Sequence, residues 1–208
     1  MSMTSISIIG TGKMGSAIAD LSARADADIQ IIRRRAGSSS SPERPDAEYG
    51  VIGDELTGEL VVLAVPYESV ADVLRHYPDG LSGKVVIDIS NPINFTTFDE
   101  LVVPSDSSAA AEIAKDIPDA AVVKAFNINF GETLASGTNG GARTTVVLAG
   151  DDADAKIAVI GLVEAAGLRA VDAGPLSRAR ELEALGFLQI TLAALAKTSW
   201  DSGFALLS

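Results

Sequence analysis

Two groups of residues have types and spacings that imply chemistry. The first is Gly10, Gly12 and Gly15, in the run Ile9-Gly10-Thr11-Gly12-Lys13-Met14-Gly15. A glycine-rich turn between an apolar strand and a helix cradles a dinucleotide pyrophosphate. The first glycine permits the tight turn, the second lets the backbone approach the phosphates, and the third lets helix and strand pack closely. The helix dipole favours the negative charge. The second group is Arg33, Arg34 and Arg35, at the end of the apolar run Ile29-Gln30-Ile31-Ile32. A site selective for NAD places Asp or Glu near this point to hold the ribose 2′-hydroxyl. Here guanidiniums stand instead, and their planar forks match a 2′-phosphate, so the residues point to NADP(H).

Other chemistries lack their side chains. The chain has no cysteine, which excludes thiolate nucleophiles, zinc–sulfur sites and iron–sulfur clusters. It has one histidine, His76, expected late in a helix, so a three-histidine metal site is impossible and no metal site is expected. No Gly-x-Ser-x-Gly elbow accompanies that histidine to suggest a hydrolytic triad. Lys124, at the end of an apolar strand, is a candidate proton donor, or else a structural or cofactor-facing lysine. No side chain is singled out as catalytic.

The elements that must position these groups alternate. Strands are expected at 5–9, 28–32, 47–51, 60–65, 84–89, 121–126, 144–149 and 168–172. Helices are expected at 13–25, 68–76, 106–116, 151–166 and 177–203. This alternation implies an α/β fold: a Rossmann-type, doubly wound, mostly parallel sheet with a short C-terminal helical extension. One unit is expected over 1–208, with a dinucleotide-binding core at 1–127 and a small extension at 128–208 ending in the long helix. A polar, serine-rich loop is expected over 37–45. In such sheets ligands sit outside the carboxyl ends of the strands. That singles out Val65 and Pro66 after the fourth strand, Asn91 and Pro92 after the fifth, and Ala125, Phe126 and Asn127 after the sixth.

The formal net charge of −12 argues against a nucleic-acid partner. No apolar run approaches the 18 residues or so of a membrane span, so no membrane partner is expected. The opening Met-Ser-Met-Thr lacks the charged and apolar regions of a signal peptide, and a cytoplasmic location is the expectation.

Five further stretches occur in order: Ala64-Val65-Pro66, Asp88-Ile89-Ser90-Asn91-Pro92, Val123-Lys124-Ala125-Phe126-Asn127, Ala149-Gly150-Asp151-Asp152 and Val171-Asp172-Ala173-Gly174-Pro175-Leu176. With the glycine motif they resemble the NADPH-dependent reductases of the deazaflavin coenzyme F420. They are also similar to the oxidoreductase domain of the STEAP metalloreductases. The resemblance implies that Thr11, Gly12, Lys13 and Met14 hold the pyrophosphate and that Arg33 and Arg34 hold the 2′-phosphate. It implies Val65 and Pro66 beside the cofactor and Ala125 near the nicotinamide. The acceptor ring would be enclosed by the 126–131 turn and the C-terminal helix. The chain departs from the family where Arg33-Arg34 replaces a Ser-Arg pair, and its Phe126-Asn127 is closer to the STEAP form.

The implied reaction is hydride transfer between NADPH and coenzyme F420 or a flavin-type small-molecule acceptor. It needs two stacked rings about 3–3.5 Å apart and little help from side chains. The alternatives are an NADPH-dependent reductase of a small carbonyl or imine, which needs a proton donor, and a non-catalytic NADP(H)-sensing protein. The expected long helix over 177–203 carries Leu182, Leu185, Leu188, Leu192 and Leu195 on one stripe, with Phe187 and Ile190 off it. Apolar residues on more than one face suggest a homodimer.

Overall fold

A computed structural model describes residues 4–35, 37 and 43–206. Most of the serine-rich stretch expected over 37–45 lies outside the described residues. Eight strands form one sheet in the order β10-β9-β6-β5-β4-β1-β2-β3. They are β1 (Ser5–Ile9), β2 (Asp28–Arg33), β3 (Ala47–Val51), β4 (Leu60–Leu63), β5 (Val85–Asp88), β6 (Ala121–Lys124), β9 (Thr145–Gly150) and β10 (Arg169–Asp172). All neighbouring pairs are parallel except β6 with β9, which is antiparallel. From β3 to β6 the order is 3-2-1-4-5-6, the doubly wound arrangement whose order reverses between β1 and β4.

The strands form where they do because both sheet faces are covered. Ile6, Ile8, Val62, Ile87 and Val123 face α1 (Lys13–Arg24) and α5 (Ala153–Ala165) in one apolar cluster. Ile9, Val61, Leu63, Val86 and Val122 join a second cluster with α2 (Tyr67–Leu74) and α3 (Ala109–Asp116). Burial on both faces explains the unbroken apolar runs. Helix starts follow short polar caps. Ser108 Oγ accepts from the Ala111 N–H at 3.1 Å, and Asp152 Oδ1 accepts from the Ala155 N–H at 2.8 Å.

The C-terminal part differs from expectation. The expected helix over 177–203 is shorter: a 3₁₀ turn, Leu176–Arg178, leads into α6 (Ala179–Ala194). It stops because Ala196 adopts the left-handed conformation at φ +52°. The Lys197 N–H then reaches the Leu192 carbonyl at 2.8 Å, and the Ala196 N–H reaches the Ala193 carbonyl at 3.0 Å. These are the two hydrogen bonds of a Schellman stop. The sequence reading also missed the short helix α4 (Gly131–Ser136) and a two-stranded hairpin, β7 (Thr138–Asn139) with β8 (Ala142–Arg143). The hairpin's signal was present. Gly140 and Gly141, both at positive φ, make the two-residue turn that hairpins favour. No helix among the described residues is long and apolar enough to cross a membrane.

Candidate functional site

The switch point between β1 and β4 is closed around glycine. Gly10 has φ +123°, and a Cβ there would lie 2.2 Å from the Ala64 carbonyl oxygen. A Cβ on Gly15 would lie 2.3 Å from the Gly10 carbonyl oxygen. No side chain fits at either place, so β1, β4 and the start of α1 touch backbone to backbone. Gly12 is different: a Cβ there would meet nothing within 4 Å. The space over the start of α1 is open, Gly12 caps that helix without a side-chain hydrogen bond, and its first turn holds no acid. The open space, the uncapped helix end and the nearby cation Lys13 suit a pyrophosphate.

A cleft of about 540 Å³ opens beside this turn, lined by Gly10, Thr11, Arg34, Val65, Pro66 and Ser69 among others. The three arginines separate here. Arg34 is exposed and lines the cleft. Arg35 is exposed but does not line it. Arg33 is buried: its guanidinium lies 4.1 Å over the Tyr49 ring and pairs with Glu43 at 2.8 Å. Its partners are on β3 and in the segment before β3, so it fastens the sheet edge. Lys13 and Met14 occupy the first turn of α1, Lys13 exposed and Met14 half-buried.

At the carboxyl ends of β5 and β6, Asn91 and Asn127 interlock. Asn91 Nδ2 donates to the Asn127 carbonyl at 2.8 Å, and Asn127 Nδ2 donates to Asn91 Oδ1 at 3.0 Å and to the Leu182 carbonyl at 2.8 Å. Helix α6 seats against them through Gly186, where a Cβ would stand 2.3 Å from Asn91 Oδ1. Pro92, Ala125 and Phe126 are buried. The Phe126 ring belongs to the core, and its φ of +61° turns the chain away from β6. The Ala125 N–H donates to the Asp88 carbonyl at 3.1 Å.

Lys124 is sealed. Its ammonium donates to Asp88 Oδ2 at 2.7 Å and to the Ser90 carbonyl at 2.5 Å, and it pairs with Glu183 Oε1 at 2.8 Å. Three partners use its three N–H donors, and all three side chains are fully buried. Glu183 also accepts the Ala109 and Ala110 N–H groups at the start of α3. Burial pushes the Glu183 carboxyl above the ordinary range, against the opposing pull of Lys124. Of the alternatives for Lys124, the geometry matches a structural lysine that binds β5, β6, α3 and α6 together. His76 lies past the end of α2, exposed, with Nδ1 2.8 Å from the Asp72 carbonyl. Helix α2 starts at the carboxyl edge, beside Pro66, and carries His76 away from it.

Asp88, Glu183, Gly186 and Gln189 escaped the sequence reading. Gln189 Nε2 donates to the Ile128 carbonyl at 3.0 Å, so α6 is stitched to the 126–131 turn. A glycine inside an otherwise helical pattern was the one available signal, since it marks close packing. No cluster of three or more metal-ligating side chains occurs among the described residues.

This fold with this cradle defines a dinucleotide-binding protein of the Rossmann type. Residues 5–92 match the model of the family described as NADP oxidoreductase coenzyme F420-dependent. The chain is 30% identical over 139 residues to the F420-dependent NADP reductase of Methanocaldococcus jannaschii, a match covering 65% of this chain and 62% of that protein. It is 31% identical over 153 residues to metalloreductase STEAP3 of Rattus norvegicus, covering 71% of this chain and 30% of that protein. These matches span less than two thirds of either relative. A crystal structure from Arthrobacter sp. FB24, assigned as an F420-dependent NADP reductase, superposes with a TM-score of 0.86 at 27% identity. It covers 98% of this chain and 99% of that one.

Proposed function

We propose that the protein is an NADP(H)-dependent oxidoreductase that moves hydride between NADPH and coenzyme F420 or a flavin-type ring. The observation that carries this reading is the pairing of an open glycine cradle with the sealing of Lys124, the lysine at the carboxyl edge. Gly12 leaves space over the start of α1, while Lys124 spends its N–H donors on buried partners. A carbonyl or imine reductase needs an acid at its substrate. Transfer between two rings does not.

In this reading Gly10 and Gly12 admit the pyrophosphate, and Lys13 and the α1 dipole favour its charge. Arg34 faces the adenosine end and takes the 2′-phosphate. Val65 and Pro66 wall the cofactor, and the Asn91–Asn127 pair fixes the ends of β5 and β6 beneath it. When bound, NADPH supplies a hydride from its dihydronicotinamide ring, and a solvent proton completes the reduced acceptor. The protein's part is to align the rings and exclude water.

The test is NADPH oxidation measured with coenzyme F420, flavin mononucleotide, a quinone and a ketone in parallel. Turnover with the ring acceptors is expected. Turnover with the ketone alone would replace this reading with the carbonyl-reductase one. NADPH binding without turnover of any acceptor would favour a sensor.

We also propose that two copies pair across α6. Leu188 and Leu195, seven positions apart on one helical face, are 50% and 68% exposed. Light scattering at micromolar concentration, giving twice the 21.4 kDa chain mass, is the expected result. A monomer that persists with NADPH would reject the pairing.

A further inference from the structure

The cleft beside the glycine turn has two unlike walls. The ends of β2 and β3 bring Ile32, Arg34 and Ile52 to it, and α2 brings Ser69, Asp72 and Val73. Ile32 and Val73 are buried and give the cleft an aliphatic floor. Arg34 and Asp72, both exposed, are its two charged side chains among the described residues. Ser69 and Asp72 are three positions apart, so they are neighbours on one face of α2.

Asp72 is only half engaged by protein. Its Oδ1 accepts from the Arg75 guanidinium at 2.7 Å, in an exposed pair one turn along the helix, while its Oδ2 accepts no hydrogen bond among the described residues. The Ser69 hydroxyl also makes none among them. An aliphatic floor with a few polar groups at the rim suits a flat base, with the polar groups fixing its orientation. A carboxylate repels a phosphate and takes an N–H donor, so the 2′-phosphate belongs with Arg34 and the base with α2. The outer edge of adenine carries a 6-amino donor beside the N7 acceptor. A free carboxylate oxygen and a hydroxyl donor match that pair in order. A 6-oxopurine carries two acceptors along the same edge, and its O6 would face the Asp72 carboxylate.

We infer that Asp72 and Ser69 read the base of the dinucleotide: Asp72 Oδ2 accepts from the adenine 6-amino group, Ser69 Oγ donates to N7, and the pair selects adenine over a 6-oxopurine. The inference rests on the NADP(H)-oxidoreductase reading and adds to it the residues that determine base specificity. Arg34 and Asp72 then divide the adenosine end between them, one for the phosphate and one for the base. Arg75 stays on the solvent side of Asp72 and holds the carboxylate by its other oxygen.

The experiment is isothermal titration calorimetry of the full chain with NADP⁺ and, separately, with nicotinamide hypoxanthine dinucleotide phosphate, which differs only in bearing a 6-oxo group for the 6-amino group. A hydrogen bond to a charged acceptor sets the expected scale: the unmodified protein should bind NADP⁺ about tenfold or more tightly than the hypoxanthine form. Asp72→Ala and the isosteric Asp72→Asn should bring the two dissociation constants to within about threefold of each other. Arg34→Ala should weaken both nucleotides and keep their ratio, because both carry the 2′-phosphate. Ser69→Ala should also weaken both alike, by about three- to tenfold, because N7 is common to both bases. A merely structural role for Asp72 would weaken both nucleotides and leave the ratio where it was. Equal binding of the two nucleotides by the unmodified protein would overturn the base assignment and leave the cofactor reading standing. A ratio unchanged in both Asp72 variants would do the same, and undiminished binding in Ser69→Ala would remove Ser69 from it. Failure to bind either nucleotide would overturn the cofactor reading itself.

Discussion

Lys124 Nζ stands 2.8 Å from Glu183 Oε1, and both side chains are fully buried. With Asp88 this makes one buried cation between two carboxylates, joining the ends of β5 and β6 to α6. Removing one member of a buried ion pair leaves an uncompensated charge. That costs about 3–5 kcal/mol, more than the pair contributes against an apolar replacement. Lys124→Met should therefore lower the melting temperature on the order of 10 °C in a chain of this size. A melting temperature within 2–3 °C of the unmodified protein, with activity lost more than about a hundredfold, would instead identify Lys124 as a proton donor.

The same cluster sets a pH dependence. Burial raises the Glu183 carboxyl above its ordinary value of 4.5, with Lys124 opposing the shift. The folded state then holds this proton more tightly than the unfolded chain. The stability it contributes is full below 4.5 and is lost as pH rises through the raised folded value. Denaturant melts at a series of pH values should show this decline. Glu183→Gln, which does not titrate, should remove that part of the slope, although it also loses an acceptor for the α3 N–H groups. An identical slope in the variant would sink the assignment.

At the adenosine end, Arg34 and Arg33 should behave differently. A charge-assisted hydrogen bond to phosphate contributes about 1.5–3 kcal/mol. Arg34→Ala should weaken NADPH about ten- to a hundredfold and leave NADH nearly unchanged. Arg33→Ala removes the contacts to Tyr49 and Glu43, so its main effect should be on thermal stability. Equal affinity of the unmodified protein for the two nucleotides, measured by fluorescence titration, would refute the NADP(H) preference.

The contrast between these arginines shows where the sequence is legible. The sheet and the glycine cradle could be read because each rests on a local pattern: unbroken apolar runs for buried parallel strands, and Gly-x-Gly-x-x-Gly after a strand. Arg33 and Arg34 look alike in sequence. Arg33 ends β2 and lies over Tyr49 on β3, whereas Arg34 follows the strand's end and lines the cleft, a difference only the fold reveals. The Asp88–Lys124–Glu183 cluster was illegible for another reason. Its members come from β5, β6 and α6, and only the tertiary fold brings them together. The 126–131 turn and the C-terminal segment converge on Gln189 in the same way.

The tight seat of α6 gives a further test. A Cβ on Gly186 would lie 2.3 Å from Asn91 Oδ1 and 2.9 Å from Asn91 Cγ. Asn91 has little room to withdraw, because Asn127 holds it by two hydrogen bonds. Overpacking of this kind costs about 1–3 kcal/mol, and Gly186→Ala should show that loss even though alanine favours helix. It should also raise the KM for NADPH, since the ends of β5 and β6 shift together. A variant as stable as the parent would mean that α6 does not seat as described.

The end of α6 supplies the opposite case. Ala196 sits at φ +52°, a conformation that costs an L-residue with a Cβ about 1–2 kcal/mol. Its N–H and that of Lys197 close the helix onto the Ala193 and Leu192 carbonyls, so the stop is built and only the residue is unfavourable. Glycine relieves the strain but gives back about 0.5–1 kcal/mol of chain entropy. Ala196→Gly should therefore stabilise the protein by about 0.5–1 kcal/mol. Ala196→Val should destabilise it, because a β-branched side chain tolerates this conformation least. Paired urea melts of the two variants decide the matter. If both variants move in the same direction, α6 does not end at a left-handed residue, and the helix continues toward residue 203 as its sequence pattern suggested.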